Sequence, residues 1–383
     1  MPTRVVLFAN TEWYLYNFRR SLALALQQHG YEVLLLSPPG PYGAKLRALG
    51  LRWEPLPMHR RSLNPFREFV LLWRLVRLFQ RERPALMHGF TIKCAVYGSL
   101  AARITGVQAR VNAVAGMGYV FTSNDFKARL LRPVVRWLMR GAFGGKHARL
   151  VLQNSDDLEL FERNRLAKQE SIRLIRGSGV DCRRFSPTDI SLKRNGDVPC
   201  VLLAARLLWD KGMAEYIDAA RILRAEDRPV RFLLAGDPDP GNPAAIPAEK
   251  VQTWASENLI EWLGHVDDMP ALYARVNIVV LPSYREGLPK SLIEAAACGL
   301  PLIAANVPGC REVITDGVDG ILVAVRDGVA VARAITRLLD DPELATRLGS
   351  AARERALAEF DEQLVIANTI ALYRECLPVS PEY

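Results

Sequence analysis

Short runs of apolar, often β-branched residues alternate with longer stretches of helical periodicity along nearly the whole chain. In the first half the short runs fall at 4–8, 32–36, 85–88, 109–114 and 150–152, each followed by a segment whose apolar positions recur every three or four residues. A run that is apolar throughout, without polar alternation, suits a parallel strand covered on both faces. The alternation of strand and helix therefore predicts a doubly wound α/β domain. The rhythm stops at 186–197, where Pro187 and the polar run Lys193-Arg194-Asn195-Gly196-Asp197 read as a linker. It resumes with runs at 200–205, 231–235, 260–263, 278–281, 302–304 and 320–323. The fold expected is α/β: two Rossmann-like, doubly wound parallel-sheet domains facing each other across a cleft, the first over 1–184, a linker at 185–198 and the second over 199–360. The remainder, 361–383, is helical in pattern. Periodicity leaves two placements open for it, one of which crosses back to the first domain.

The length of 383 residues agrees with two domains of ordinary size, and half of the residues are hydrophobic with no low-complexity run. No stretch approaches the eighteen uncharged apolar residues of a membrane span, and the first residues read as a strand-like run, Val5-Val6-Leu7-Phe8, without the basic start and cleavage site of a signal peptide. Six cysteines without a Cys-x-x-Cys pair read as reduced thiols. A cytoplasmic protein is expected. Charge alters this picture, because the net +9 is unevenly spread: residues 1–184 hold 30 Lys and Arg against 12 Asp and Glu, and the rest hold 20 against 29. The basic first domain should face something anionic.

Candidate chemistry gathers in the second half. After the run 278–281 comes Pro282-Ser283-Tyr284-Arg285-Glu286-Gly287-Leu288-Pro289, then a helix-forming stretch over 290–298 closed by Gly299. Proline is expected at the first helical position, so that the loop delivers a helix amino end with unpaired N–H groups toward an anion such as a diphosphate. Glu286 in the loop and Glu294 in the helix can each accept hydrogen bonds from sugar or ribose hydroxyls, with a helix cap and a solvated helical residue as the plain alternatives. Upstream, Arg206 and Lys211 follow the run 200–205 and form a candidate clamp for a departing diphosphate. Neither half carries Gly-x-Gly-x-x-Gly after its first strand or a P-loop anywhere, which disfavours dehydrogenases and P-loop nucleotidases.

The run Glu286-Gly287-Leu288-Pro289, then Glu294-Ala295, Gly299-Leu300-Pro301 and Gly309 with Glu312, resembles the signature of family four of the retaining GT-B glycosyltransferases, whose hallmark is two glutamates separated by seven residues. Arg206 and Lys211, Gly236-Asp237 and Leu263-Gly264-His265-Val266 extend the resemblance, and Gln153-Asn154-Ser155 and Gly177-Ser178-Gly179 continue it more weakly in the first half. The resemblance implies a GT-B fold and a nucleotide-sugar donor, a UDP-sugar first among them, as co-substrate without any cofactor. It implies Arg206 and Lys211 on the donor diphosphate, Glu294 on the ribose, Glu286 with Gly287, Leu288 and Pro289 on the donor sugar, and Val266 by the base. It also makes His88, at the end of the run 85–88, a cleft histidine beside the reacting groups, although a lone histidine is more often structural. Trp13 and Tyr14 take the place of paired glycines common among relatives and become acceptor-side candidates together with Gly116 and Gly118. No metal is expected, since Asp237-Pro238-Asp239 has ligand spacing but lies in a proline-rich loop. A nucleotide-sugar epimerase of the same fold, a phosphorylase and a non-catalytic scaffold are the competing readings.

Two basic, aromatic-rich stretches at 63–83 and 126–149 complete the expectations. The first sets Phe66, Phe69 and Trp73 among Arg67, Arg74 and Arg77; the second sets Trp137 among Lys127, Arg129, Arg132 and Arg136. Both fit peripheral attachment to an anionic inner membrane leaflet and a lipid-diphosphate-linked glycan as acceptor, unless their apolar sides simply pack on the sheet. No nucleic-acid motif accompanies the charge.

Overall fold

The structure, a computed structural model, describes residues 3–59, 62, 64–114, 126–164, 166–187, 198–239 and 242–377, with the backbone alone at 126–128, 130 and 131. Contacts divide the chain into unit 1, Met1–Ser178 with Gln363–Tyr383, and unit 2, Gly179–Glu362. Residues 179–184, assigned to the first domain in the sequence reading, sit in unit 2: the Val180 N–H donates to Phe360 O at 2.9 Å, and Cys182 is part of a unit 2 core cluster. Most of the expected linker, 188–197, lies outside the described residues.

Among the described residues unit 1 contains strands β1 (Arg4–Phe8), β2 (Glu32–Ser37), β3 (Arg52–Pro55), β4 (Leu86–Phe90), β5 (Ala109–Ala113), β6 (Ala148–Leu152) and β7 (Ile172–Leu174), all parallel in the order β3-β2-β1-β4-β5-β6-β7. Its main helices are α1 (Arg20–Gln28), α2 (Pro65–Glu82), α3 (Ile92–Thr105) and α4 (Phe126–Phe143). Val5 and Leu7 of β1 pack into one core cluster while Val6 and Phe8 pack into another that includes Leu75 and Phe79 of α2 and Ala101 of α3. Both faces are thus covered, which is why the strands read as unbroken apolar runs. Edge strands β3 and β7 escaped the sequence reading because only Trp53 of β3 and Ile172 of β7 are buried.

Unit 2 contains β8 (Cys200–Ala204), β9 (Arg231–Ala235), β10 (Glu261–Gly264), β11 (Ile278–Leu281), β12 (Leu302–Ala305) and β13 (Ile321–Val323), again parallel, in the order β10-β9-β8-β11-β12-β13. Helices α5 (Met213–Ala225) and α6 (Lys290–Ala297) follow β8 and β11. In each sheet the strand order reverses between two neighbours, β1 and β4 in unit 1 and β8 and β11 in unit 2, so the connections leave that pair in opposite directions and open a crevice at its carboxyl ends.

The last helix, α7 (Glu362–Cys376), begins as unit 2 ends and packs on unit 1, where Val365, Ile366, Ile370, Tyr373 and Cys376 join Val5, Leu7 and Val33 in one cluster. Glu375 of α7 also pairs with Arg149 and Arg173. At the opposite face Glu82, at the end of α2, is buried among Arg4, Arg52 and Arg81 and holds its carboxyl below the ordinary glutamate range, chiefly through the Arg52 hydrogen bond. Among the described residues no helix is long and apolar enough to cross a membrane.

Candidate active site

In unit 2 the two segments that leave the β8–β11 pair are locked together by backbone before any side chain is considered. Gly212, which opens α5, has φ +73°, and a Cβ there would lie 2.1 Å from Pro282 O, so only glycine lets the turn after β8 press against the loop after β11. The Tyr284 N–H donates to Asp210 O at 2.9 Å, and the Tyr284 hydroxyl donates to Glu215 in α5. On the other side Gly309, φ +68°, supports the loop, since a Cβ there would meet Gly287 O at 2.6 Å and Glu286 O at 2.8 Å. Glu286 is held on both sides by close backbone packing.

This framework sets the Lys211 ammonium 2.5 Å from Glu286 Oε1, and the Ser283 hydroxyl donates to the same oxygen at 2.7 Å. The contact is largely shielded from solvent. Glu286 Oε2 is left for another donor, and the ammonium retains two N–H groups beyond this ion pair. The structure therefore brings two of the expected site residues, 75 positions apart, into one pair. Arg206 is not in that pair. Its guanidinium bonds Asp239 Oδ2 at 2.8 Å, on the loop after β9, and is 57% exposed.

Glu294 stands one turn into α6 with its carboxylate mostly covered; Lys290 Nζ lies 3.7 Å away, and the Tyr273 hydroxyl is 3.4 Å away. Burial pushes its carboxyl above the ordinary range, with Lys290 opposing. The solvated alternative for this residue does not hold. Pro289 is the N-cap of α6, with ψ 104°, rather than its first helical residue, and the helix ends at Ala297 with Cys298 as C-cap and Gly299 left-handed beyond it. The shift follows from Pro289 staying extended, as the last residue of the loop. Val266 and Leu288 are both partly buried on the same core cluster.

In unit 1 the expected acceptor-side residues separate. Trp13 is 40% exposed, whereas Tyr14 stacks on Phe18 and its hydroxyl accepts from Arg19 at 2.9 Å. Gly116 and Gly118 lie outside the described residues. His88 is not at a strand end: β4 continues through Gly89 and Phe90, which pair with Asn112 and Ala113 of β5, and the imidazole is 2% exposed. Its Nδ1 is 2.5 Å from the Tyr373 hydroxyl of α7, and burial, with the Arg19 charge adding to it, holds it well below the usual histidine range and so neutral. Sequence reasoning missed Ser283, Tyr273, Arg19 and Tyr373. Ser283 lies within the quoted loop and could have been named; Tyr373 is 285 positions from His88 and carried no local signal.

Comparison with known proteins gives two family models. One described as "Glycosyl transferases group 1" matches residues 188–355, and one described as "Glycosyl transferase 4-like" matches residues 4–153. The chain is 30% identical over 368 residues to an N,N'-diacetylbacillosaminyl-diphospho-undecaprenol alpha-1,3-N-acetylgalactosaminyltransferase of Campylobacter jejuni, covering 94% of this chain and 95% of the relative. It is 26% identical to a UDP-Gal:alpha-D-GlcNAc-diphosphoundecaprenol alpha-1,3-galactosyltransferase of Escherichia coli, over 76% of this chain and 75% of that one. In fold it resembles Anabaena Alr3699/HepE, solved in complex with UDP-glucose, at a TM-score of 0.75 with 20% identity, over 96% of this chain and 99% of that one.

Proposed function

We infer the reaction from one premise: the chain belongs to the glycosyl transferases group 1, family four of the GT-B glycosyltransferases. It moves a hexosyl or N-acetylhexosaminyl group from a nucleotide sugar, a UDP-sugar first among them, to a lipid-linked or other glycan acceptor in cell-surface polysaccharide or glycolipid synthesis. The observation that carries this reading is the Lys211–Glu286 pair at the carboxyl ends of β8 and β11. Lys211 neutralises charge that builds on the diphosphate as the bond from the sugar's C1 to the leaving oxygen breaks. The N-terminal amides of α6 supply further donors for the same group. Glu286 accepts hydrogen bonds from the donor sugar and Glu294 from the ribose. Arg206 completes the clamp by exchanging Asp239 for a phosphate.

Transfer proceeds with retention. The acceptor oxygen bonds to C1 on the face the diphosphate leaves, a donor phosphate oxygen takes the acceptor proton, and neither a protein nucleophile nor a metal takes part. Two relatives named for diphospho-undecaprenol substrates support the lipid-linked acceptor, and the fold's likeness to a UDP-glucose complex supports the donor class. We further propose a peripheral position on an anionic inner leaflet. In support, the exposed aromatic side chains among the described residues all belong to unit 1, and four are on α2 and α4: Phe66 is 74% exposed, Phe69 65%, Trp73 47% and Trp137 73%. Phe66, Phe69, Trp73 and Arg77 follow one stripe of α2, with the Arg77 guanidinium 4.4 Å above the Trp73 ring.

The test is a thermal-shift screen with UDP-, GDP- and ADP-sugars, followed by NMR of the product's anomeric configuration with a diphosphate-lipid acceptor. Stabilisation by one nucleotide class and a product of unchanged configuration are expected. No stabilisation by any of them sinks the transferase reading, and an inverted product sinks retention alone.

A further inference from the structure

Glu215, in the first turn of α5, is a buried carboxylate without a cation. It is 6% exposed and forms no ion pair among the described residues, and both of its hydrogen bonds come from one proton, that of the Tyr284 hydroxyl, at 2.9 Å to Oε1 and 3.1 Å to Oε2. Burying a carboxylate with a single donor is costly, and an apolar pair would fill the same space without that cost. What an apolar pair lacks is direction, because a hydrogen bond fixes where the phenol points and packed methyl groups do not. Burial, together with the bond to Glu215, pushes the Tyr284 hydroxyl up to about 12, so it keeps its proton and remains the donor at neutral pH.

Tyr284 is tied at both ends to the same segment. Its N–H donates to Asp210 O at 2.9 Å and its hydroxyl to Glu215, so the two bonds land on either side of Lys211. Tyr284 also stands two residues before Glu286 and next to Ser283, whose hydroxyl donates to Glu286 Oε1. The segments that carry the two members of the Lys211–Glu286 pair are therefore joined through one tyrosine. A third loop backs it. Arg326, between β13 and the helix Gly328–Asp340, has φ +62°, a left-handed conformation uncommon outside glycine, and its guanidinium lies 4.8 Å from the centre of the Tyr284 ring. The ring is thus held from its face as well as from its ends.

We propose that Glu215 and Tyr284 form a strut that sets the separation of Lys211 and Glu286, and that both are positioning residues for transfer, touching neither donor nor acceptor. In the transferase reading, on which this rests, Lys211 meets the leaving diphosphate and Glu286 the donor sugar. The strut then fixes the distance between the two parts of the donor that separate as the bond breaks. A displacement of the Glu286 loop by a fraction of an ångström degrades that match in the transition state, while the nucleotide keeps its own contacts with Lys211 and Glu294. The loss should therefore fall on kcat.

The experiment uses the full chain and the nucleotide sugar that the wild type turns over fastest among UDP-galactose, UDP-N-acetylgalactosamine, GDP-mannose and ADP-glucose, read as release of the nucleoside diphosphate. Tyr284→Phe should lower kcat at least tenfold, with KM and the calorimetric affinity for the free nucleoside diphosphate within threefold of wild type. Because this change strands the Glu215 carboxylate, it is paired with the double variant Tyr284→Phe, Glu215→Leu, which removes both polar groups and should melt as the wild type does while kcat stays at least tenfold down. Glu215→Gln, whose amide oxygen still accepts from the phenol, should recover most of the kcat that Glu215→Leu loses. A kcat for Tyr284→Phe within twofold of wild type overturns the strut. So does a double variant that regains kcat along with its melting temperature, which would make the contact structural only, and so do equal losses in Glu215→Gln and Glu215→Leu. A wild-type protein that turns over none of the four donors defeats the transferase reading and the strut with it; an active wild type with unaffected variants defeats the strut alone.

Discussion

On the proposed reading, Lys211→Ala separates the diphosphate clamp from every other part of the donor site. The ammonium is 2.5 Å from Glu286 Oε1. At an effective dielectric of about 20, a unit charge 4 Å from a phosphate oxygen is worth about 4 kcal/mol. Part of that is already spent on Glu286, so the expected loss falls in the range of a charge-assisted hydrogen bond, about 1.5–3 kcal/mol, or roughly 10- to 100-fold in UDP affinity. The transition state carries more charge on the leaving oxygen than the bound donor does, and kcat should fall further, by about 100- to 1000-fold. Folding should be little affected. Glu286 keeps the Ser283 hydroxyl and the backbone packing of Gly309, so the loop keeps its supports when the ammonium is removed. Calorimetry with UDP and with uridine is the discriminating assay, because uridine lacks the diphosphate: its affinity should match wild type within a factor of two while UDP's drops. Equal losses for the two ligands, or normal turnover, would show that Lys211 does not touch the diphosphate.

Three further outcomes follow from other features. Glu294 has a raised carboxyl pKa in the free protein, and hydrogen bonds from a ribose favour its charged form; UDP affinity should therefore be full above that raised pKa and decline as pH falls through it, a pH dependence that Glu294→Gln removes and that titration calorimetry across pH 4–7 would reveal. Glu82→Gln leaves three arginines around a neutral amide and should lower stability by about 1–2 kcal/mol at neutral pH, measured by urea unfolding. Since the folded carboxyl is depressed, that difference is present above the unfolded glutamate pKa and shrinks as pH falls through the folded value. Trp137→Ala together with Phe66→Ala should reduce binding to anionic vesicles about tenfold or more in a flotation assay without altering unfolding, as both rings are exposed; unchanged flotation would remove α2 and α4 from membrane attachment.

How much of this could be read in the chain itself depends on the range of each interaction. Strands such as β2 and β11 announced themselves because burial on both faces demands apolar residues at every position, and the Glu286 loop because its residues are consecutive. Glu286 and Lys211 were each named from their own neighbourhoods, but their pairing needed the strand order that makes β8 and β11 neighbours. Arg206 was grouped with Lys211 by proximity in sequence, and the acid that holds it, Asp239, was weighed only as a metal ligand. His88 was placed at the strand end because the run was given as 85–88, whereas Gly89 is also a strand residue, kept small by Ala95, whose backbone a Cβ would meet at 2.7 Å. Tyr373 shows the limit most clearly, as no pattern around position 88 points to a helix near residue 370.

That helix also decides when the first unit can be finished. Unit 1 is interrupted in sequence by the whole of unit 2, and α7 supplies Val365, Ile366, Ile370 and Tyr373 to the cluster around Val5 and Leu7. During synthesis, then, the amino-terminal half has one face of its sheet covered only in part, by Leu22 and Leu26 of α1 among others, until unit 2 has been translated and α7 can add its side chains and the His88 hydrogen bond. A released chain truncated after residue 362 would contain all of unit 2 but a unit 1 without α7, and its amino-terminal half should be the part more open to protease.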